Sequence, residues 1–362
     1  MRSARSSAAL AGLLAGTALA VAACGTDAPE TRDLSVMTQN MYLGADVTEL
    51  FGASSTSDLA GRATRLWEQV QNSDVPGRVN AVARAIYTSG VDVVGLQEVS
   101  LWRTDPAANG PVTPATDVEL DVLTMLTDAL DELAGDDGQQ YEVGPVAEEF
   151  DGEVPTNLGF DVRLTDRDVI LYRTGGSDLQ EEMTVESVGS GQFDAALEVE
   201  AIPGTTVTVP RGWTAVDVTL GGDRTVRVYN THLEAIEGPE QEAQGAELRS
   251  LAADSSPVVV LGDFNSGPEQ EVDTPTYQQF LDDGYRDAWG GDPGSGATCC
   301  QSPDLRNPSS RLDTRIDIIM LRGVSSTGAA RLGASEEERT KSGMWPSDHA
   351  GVTAALLVRV PE

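Results

Sequence analysis

The sequence predicts an α/β protein with a mixed β-sheet and helices packed outside it. Three observations carry that prediction. Short apolar runs of β type recur along the chain, amphipathic helical patterns lie between some of them, and other runs follow each other directly as hairpins do. No internal repeat and no linker between two globular halves interrupts the pattern, so a single domain is expected.

The β-type runs are 34–39, 92–96, 168–172, 205–209, 213–220, 225–230, 258–261, 316–320 and 352–358. Each is four to eight residues long and rich in Val, Ile, Leu or Thr, which suits a strand with one or both faces buried. Helices are expected over 62–71, 78–88, 118–133 and 240–253. There, apolar residues recur at three- and four-residue spacing with acids and arginines between them. Stretches 100–116, 148–166 and 289–311 are rich in Gly, Pro, Asp and Asn and read as long loops.

Residues 1–23 read as an export signal. Arg2 and Arg5 give a positive start, and Ala8 to Ala20 form an apolar run too short to span a membrane comfortably. Val21-Ala22-Ala23-Cys24 matches a bacterial lipobox, so Cys24 is expected to become the lipidated N-terminus, anchoring the protein to the outer face of the cell membrane. Residues 24–33 then form a polar tether, and 34–362 are long enough for one large domain.

The chain of 362 residues has 58 acids against 24 bases, a net charge of −34. Such a surface repels polyanions out to about 10 Å in ordinary salt, which argues against broad, tight nucleic-acid binding. A local basic pocket for one phosphate is compatible with it. With Cys24 committed to lipid, Cys299 and Cys300 remain, either as two small partly buried thiols or as one local disulfide.

Only two histidines occur, His232 in Tyr229-Asn230-Thr231-His232-Leu233-Glu234 and His349 in Trp345-Pro346-Ser347-Asp348-His349. Imidazole is the side chain best suited to move a proton near neutral pH. Other strands also run into polar groups: 34–39 into Asn40, 92–96 into Gln97-Glu98, and 258–261 into Gly262-Asp263-Phe264-Asn265. Side chains just past strand ends in a layered α/β protein gather in one crevice.

The ordered set Gln39-Asn40, Leu96-Gln97-Glu98, Thr231-His232-Leu233, Gly262-Asp263-Phe264-Asn265, Arg315-Ile316-Asp317 and Ser347-Asp348-His349 resembles the endonuclease/exonuclease/phosphatase superfamily. The resemblance spans Leu34 to Val358. It implies a four-layer sandwich, with two mixed β-sheets face to face and helices on the outer faces.

It also implies hydrolysis of a phosphoester, which needs a cation on the phosphate, a base for water and stabilisation of the departing oxygen. Glu98, Asn40 and Asp348 are the expected metal ligands. Their hard oxygens suit Mg2+, with Mn2+ or Ca2+ as alternatives. The pattern pairs His349 with Asp317, which makes His349 the base for water. Asp263 and Asn265 would hold that water and a phosphate oxygen, with His232 a donor near the phosphate or leaving group. Asp168 falls where relatives place a polar residue before a strand, and its contact with the site is left open.

Departures from the pattern narrow the substrate. Asn40-Met41-Tyr42 lacks the second acid of the Asn-x-Asp form, and no basic-aromatic run suggests a nucleic-acid groove. The expected substrate is a phospholipid head group, an extracellular nucleic acid or a small phosphate ester, handled by a monomer. Arg306 and Arg311, in the loop before Arg315, read first as surface arginines paired with acids, with a reach toward substrate as the alternative. A non-catalytic binding lipoprotein on the same fold is the alternative of another class, although it would be expected to have lost His349, Asp263 or Glu98. A zinc hydrolase fails for lack of nitrogen ligands.

Overall fold

The computed structural model describes residues Thr31–Arg359, apart from 108, 137, 176–182, 237, 269–273 and 291–294. The expected signal segment and Cys24 lie outside the described residues. The first strand begins at Thr31, three residues before the apolar run, because Thr31 to Asp33 pair antiparallel with Arg359 to Leu357.

Two large sheets form. One has eight strands, in the order Ser325–Leu332, Gly351–Arg359, Thr31–Asn40, Val93–Gln97, Asp161–Arg173, Leu101–Asp105 and Asp117–Asp121, with Tyr141–Pro155 paired beside Asp161–Arg173. The other has six, in the order Arg286–Asp287, Asp317–Arg322, Val258–Asp263, Arg224–His232, Gly212–Leu220 and Thr184–Gln192. Leu197–Ile202 and Thr205–Val209 make a separate ribbon.

Alternation along the strands sorts the apolar side chains into three layers of core. Val36, Val93 and Ile170 of the first sheet meet Val216, Val228, Val259, Leu261 and Ile319 of the second in the central layer. The neighbouring residues Met37, Val94, Leu96, Val169 and Leu171 point the other way, onto helices Val75–Ser89 and Val122–Ala134. Val258, Val260, Ile318 and Met320 face Leu248 and Phe280 of helices Pro239–Ala252 and Thr276–Asp282. The expected helix–sheet–sheet–helix sandwich is the observed one.

The sheets approach each other closely at Gly95. A Cβ on Gly95 would lie 2.2 Å from Leu261 Cδ1 and 2.5 Å from Asn230 Oδ1, so only glycine fits there. That approach lets Gln97 Nε2 donate to Asn230 Oδ1 at 2.6 Å, while Asn230 Nδ2 donates to Leu96 O at 3.2 Å. A buried, satisfied polar bridge of this kind fixes the alignment of two otherwise apolar faces.

Several boundaries differ from the sequence reading. The expected helix over 118–133 is divided: Asp117–Asp121 is a strand, and the helix starts at Val122. Asp121 takes extended backbone at the junction, pairs with Arg167 at 2.5 Å and accepts from Thr124 Oγ1. Stretch 100–116 contains the strand Leu101–Asp105, and 148–166 belongs to the arms of a long hairpin, Tyr141–Pro155 with Asp161–Arg173. Its polar composition reflects an outer portion whose side chains face solvent and one another, as Asp151 does with Arg163 and Arg103. The edge strands Thr184–Gln192 and Ser325–Leu332 are Gly- and Ser-rich and largely exposed, so they lack the apolar alternation that marks the inner strands. No described helix is long and apolar enough to cross a membrane.

Candidate active site

Strand direction brings the polar clusters together. Thr31–Asn40 runs parallel to Val93–Gln97, and Arg224–His232 runs parallel to Val258–Asp263, so Asn40, Glu98, His232 and Asp263 leave their strands at the same kind of end. Asp317 opens an antiparallel strand directly opposite Asp263. Ser347-Asp348-His349 lies just before Gly351–Arg359, antiparallel to Thr31–Asn40. The hydrogen bond from Asn40 Nδ2 to Asp263 Oδ2, 3.1 Å, joins the two sheets' contributions.

Local backbone turns aim these groups. Glu98, Tyr42 and Asn265 all take left-handed conformations, with φ of +56°, +61° and +44°. Non-glycine residues adopt that region at a cost, and such residues cluster at functional sites. Gly262, at φ +149°, has no room for a side chain, since a Cβ would lie 2.0 Å from Thr231 O.

His349 and Asp317 meet as expected, Nδ1 to Oδ2 at 2.8 Å. Donation from Nδ1 leaves Nε2 as the free nitrogen of a neutral ring. Burial opposes charge on His349, but Asp317, Asp263 and Asp348 outweigh it and hold its pKa well above the ordinary value. Asp263 is the hub of the cluster. Its Oδ1 accepts from Asn265 N–H at 3.0 Å, and its Oδ2 lies 3.7 Å from both His349 Nδ1 and His232 Nε2. Burial and neighbouring Asp317 push the Asp263 carboxyl up to about 7.

Glu98 is held at both oxygens, Oε1 by Asn40 Nδ2 at 3.0 Å and Oε2 by the Leu43 N–H at 2.8 Å. Burial and then Asp348 raise its pKa, and burial raises that of Asp348 against the pull of His349 and Arg78. This crowding of buried and half-buried carboxyls, together with the unpartnered Asp317 Oδ1, fits a divalent cation among hard oxygen ligands. Asp263, Asp317 and His349 also come within ligand reach of one another. Asn40, expected as a ligand, is held by hydrogen bonds at both ends of its amide. Its Oδ1 accepts from the Tyr42 N–H at 2.9 Å and its Nδ2 bridges Glu98 and Asp263, so it clamps two acids together. Asn265 Nδ2 donates to Leu233 O at 2.9 Å, which fixes the amide beside Asp263.

Asp168 is fully buried and faces Glu149 and His232 within ligand reach. Burial and then Glu149 raise its pKa well above the usual carboxylate range. Arg306 and Arg311 sit on the neighbouring loop, where Arg311 Nη1 donates to Ser302 Oγ at 2.9 Å. Cys299 and Cys300 are joined as a disulfide, and backbone bonds between Cys299 and Thr314 tie the loop's two ends beside Arg315-Ile316-Asp317.

Two arginines belong to the site although the sequence did not single them out. Arg78 is 2% exposed and donates to the carbonyls of Ser73 and Met41 at 2.9 Å, Pro346 at 3.3 Å and Tyr42 at 3.4 Å. It stitches the segment after Asn40 to the one before Asp348. Arg211 Nη1 lies 3.1 Å from His232 Nδ1, and its guanidinium is ringed by Glu234, Glu149 and Asp166 at 3.4, 3.7 and 3.8 Å. A signal for Arg211 existed in the hairpin register: pairing of Gly212 with His232 puts Arg211 beside the histidine. For Arg78, within an amphipathic helix, there was none.

The architecture and this cluster define a layered α/β sandwich whose two sheets bring acids and two histidines to one end. Residues 37–349 match the Endonuclease/Exonuclease/phosphatase family, and the chain belongs to it. Members of that family are generally hydrolases acting on phosphoesters and generally use a divalent metal. Among curated proteins, none matches the chain in sequence. Solved structures share the fold. An endonuclease/exonuclease/phosphatase family protein from Bacteroides thetaiotaomicron is 17% identical, with TM-score 0.52, covering 91% of this chain and 100% of its own. One from Leptotrichia buccalis is 13% identical, with TM-score 0.51, covering 89% and 99%. Humanized D. rerio TDP2 is 16% identical, with TM-score 0.50, covering 90% and 98%.

Proposed function

We propose that this protein is a divalent-metal-dependent phosphoester hydrolase, exported and held at the outer face of the cell membrane by a lipidated Cys24. The observation that carries the reading is the buried His349–Asp317 pair, 2.8 Å apart, facing Asp263 and the Glu98–Asp348 acids. Asp317 holds His349 in one tautomer, and Nε2 of the neutral ring takes a proton from water. Glu98 and Asp348 would hold the cation, Mg2+ or alternatively Mn2+ or Ca2+. When bound, it supplies the positive charge that polarises the phosphate and offsets the surplus of acids. Asp263 and Asn265 orient the attacking water and a phosphate oxygen, while Asn40 keeps Glu98 and Asp263 in register.

The net charge of −34 favours a compact phosphoester, such as a lipid head group or small ester, over a long polyanion. The test is hydrolysis of bis-p-nitrophenyl phosphate, then of sphingomyelin, DNA, RNA and inositol phosphates, with magnesium, manganese and calcium compared. No hydrolysis of any of them under any cation would refute the enzyme and favour a binding protein on the same fold. Preferential cleavage of DNA or RNA would favour a nuclease. Globomycin-sensitive processing and loss of membrane association in Cys24→Ala test the anchor.

A further inference from the structure

His232 carries a partner that sets its chemistry apart from that of His349. A guanidinium has only N–H groups and remains charged at any working pH, so it can donate and never accept. Arg211 Nη1 at 3.1 Å from Nδ1 therefore requires a lone pair on that nitrogen. A neutral imidazole with a lone pair on Nδ1 carries its proton on Nε2. Nε2 is also the atom turned toward the site, 3.7 Å from Asp263 Oδ2.

We propose that Arg211 fixes His232 as the neutral imidazole protonated on Nε2, so that His232 acts as a hydrogen-bond donor to the phosphate and not as an imidazolium acid. The assignment of phosphate as the acceptor rests on the phosphoester reading; the tautomer rests on geometry alone. The N–H of a neutral ring is a far weaker acid than that of an imidazolium, yet it stabilises charge building on a phosphate oxygen.

The surroundings support a fixed ring. Besides Arg211, the charged or titratable groups facing it are Asp263, His349, Glu149 and Asp168. Burial first, then Arg211 and His349, disfavour a second proton on His232. Three acids hold Arg211 itself. Glu234 is the nearest at 3.4 Å, and Glu234 is in turn fixed by accepting from the Ala235 and Ile236 N–H groups at 2.9 and 3.1 Å. Although Glu149, Asp168 and His232 come within ligand reach of one another, that pocket already contains its cation in the guanidinium. Arg211 is thus a positioning residue, acting on the reaction through His232.

Having only two histidines makes the test direct. In a His349→Gln variant labelled with 15N-histidine, every imidazole signal within the domain belongs to His232. A long-range 1H–15N spectrum should show a protonated Nε2 and a bare Nδ1, unchanged between pH 8 and pH 6. A proton on Nδ1, or the averaged nitrogens of an imidazolium at pH 7, would overturn the proposal. Arg211→Lys should preserve the pattern, and Arg211→Met should give mixed tautomers or a ring that titrates. A folded Arg211→Met variant with the parent spectrum would show that Arg211 does not fix the ring. Should that variant fail to fold, the spectrum of the His349→Gln protein decides. Because the spectrum needs no turnover, a protein without phosphoesterase activity refutes the function and leaves the tautomer standing, and the converse result is equally distinguishable.

Discussion

His232 and His349 converge on a single oxygen: each has a ring nitrogen 3.7 Å from Asp263 Oδ2. They arrive in opposite electrostatic settings. Acids surround His349 and favour its charged form, whereas Arg211 and burial keep His232 neutral. One carboxylate thus stands between the proposed proton acceptor and the proposed fixed donor, and the division can be tested residue by residue.

Replacing His349 by Ala should lower kcat on bis-p-nitrophenyl phosphate by roughly 10²–10⁴, the usual worth of a general base. Circular dichroism and the melting temperature should show the variant folded. Equal rates for variant and parent would remove His349 from the chemistry.

Glu98→Gln keeps the side chain's shape and removes its charge. The magnesium concentration for half-maximal activity should rise, and calorimetry should show weaker cation binding. An unchanged titration by both measures would exclude Glu98 as a ligand.

Arg78→Met should be costly to the fold and the site together. It removes the donor of four backbone carbonyls and leaves Asp348 without its buried cation neighbour. A loss of about 3–5 kcal/mol is the usual consequence of breaking a buried polar network. Urea denaturation measures it, and a loss below 1 kcal/mol would contradict the stitching role.

Gly95→Ala forces a methyl group against Leu261 and Asn230, so a destabilisation of about 1–3 kcal/mol is expected from overpacking. If melting is unaffected, the sheets are not in the close contact described.

Stability of the metal-free protein should fall as pH rises from 6.5 to 8. Burial raises Glu149 to about 8, and Asp166 and Asp263 to about 7. Acids that hold protons in the folded state but not in the unfolded one stabilise most at low pH, and that contribution is lost as pH passes their folded values. Burial also raises the neighbouring Asp168, which acts in the same direction, as does the raised His349. His232, lowered in the folded protein, opposes this trend only below about its ordinary 6.5. Melting temperatures in EDTA at the two pH values decide the matter, and a higher value at pH 8 would refute it.

Much of this was legible because the informative signals are local. Val258-Val259-Val260-Leu261 can hardly be anything but a buried strand, and the polar residues after it had to emerge at a strand end. The Asp117–Asp121 strand was not legible, since its exposed residues gain their conformation only from pairing with Leu101–Asp105. The same holds for Glu149, whose relation to His232 is set by sheet packing that no residue type announces, whereas Arg211 follows once the hairpin register is known. Asn40 was placed in the right cluster, but which end of its amide faces the acids depends on the left-handed turn at Tyr42.

The bridge between Gln97 and Asn230 has a mechanical consequence. Asn40, Glu98 and His349 are carried by one sheet, and His232, Asp263 and Asp317 by the other, so the reacting groups straddle a seam. Sliding one sheet past the other by a fraction of a residue would leave every strand intact and still pull the two halves out of register. Under the proposed function, turnover would therefore be a gauge of sheet alignment, and it should fail under mild denaturant before the spectroscopic signature of either sheet begins to fade.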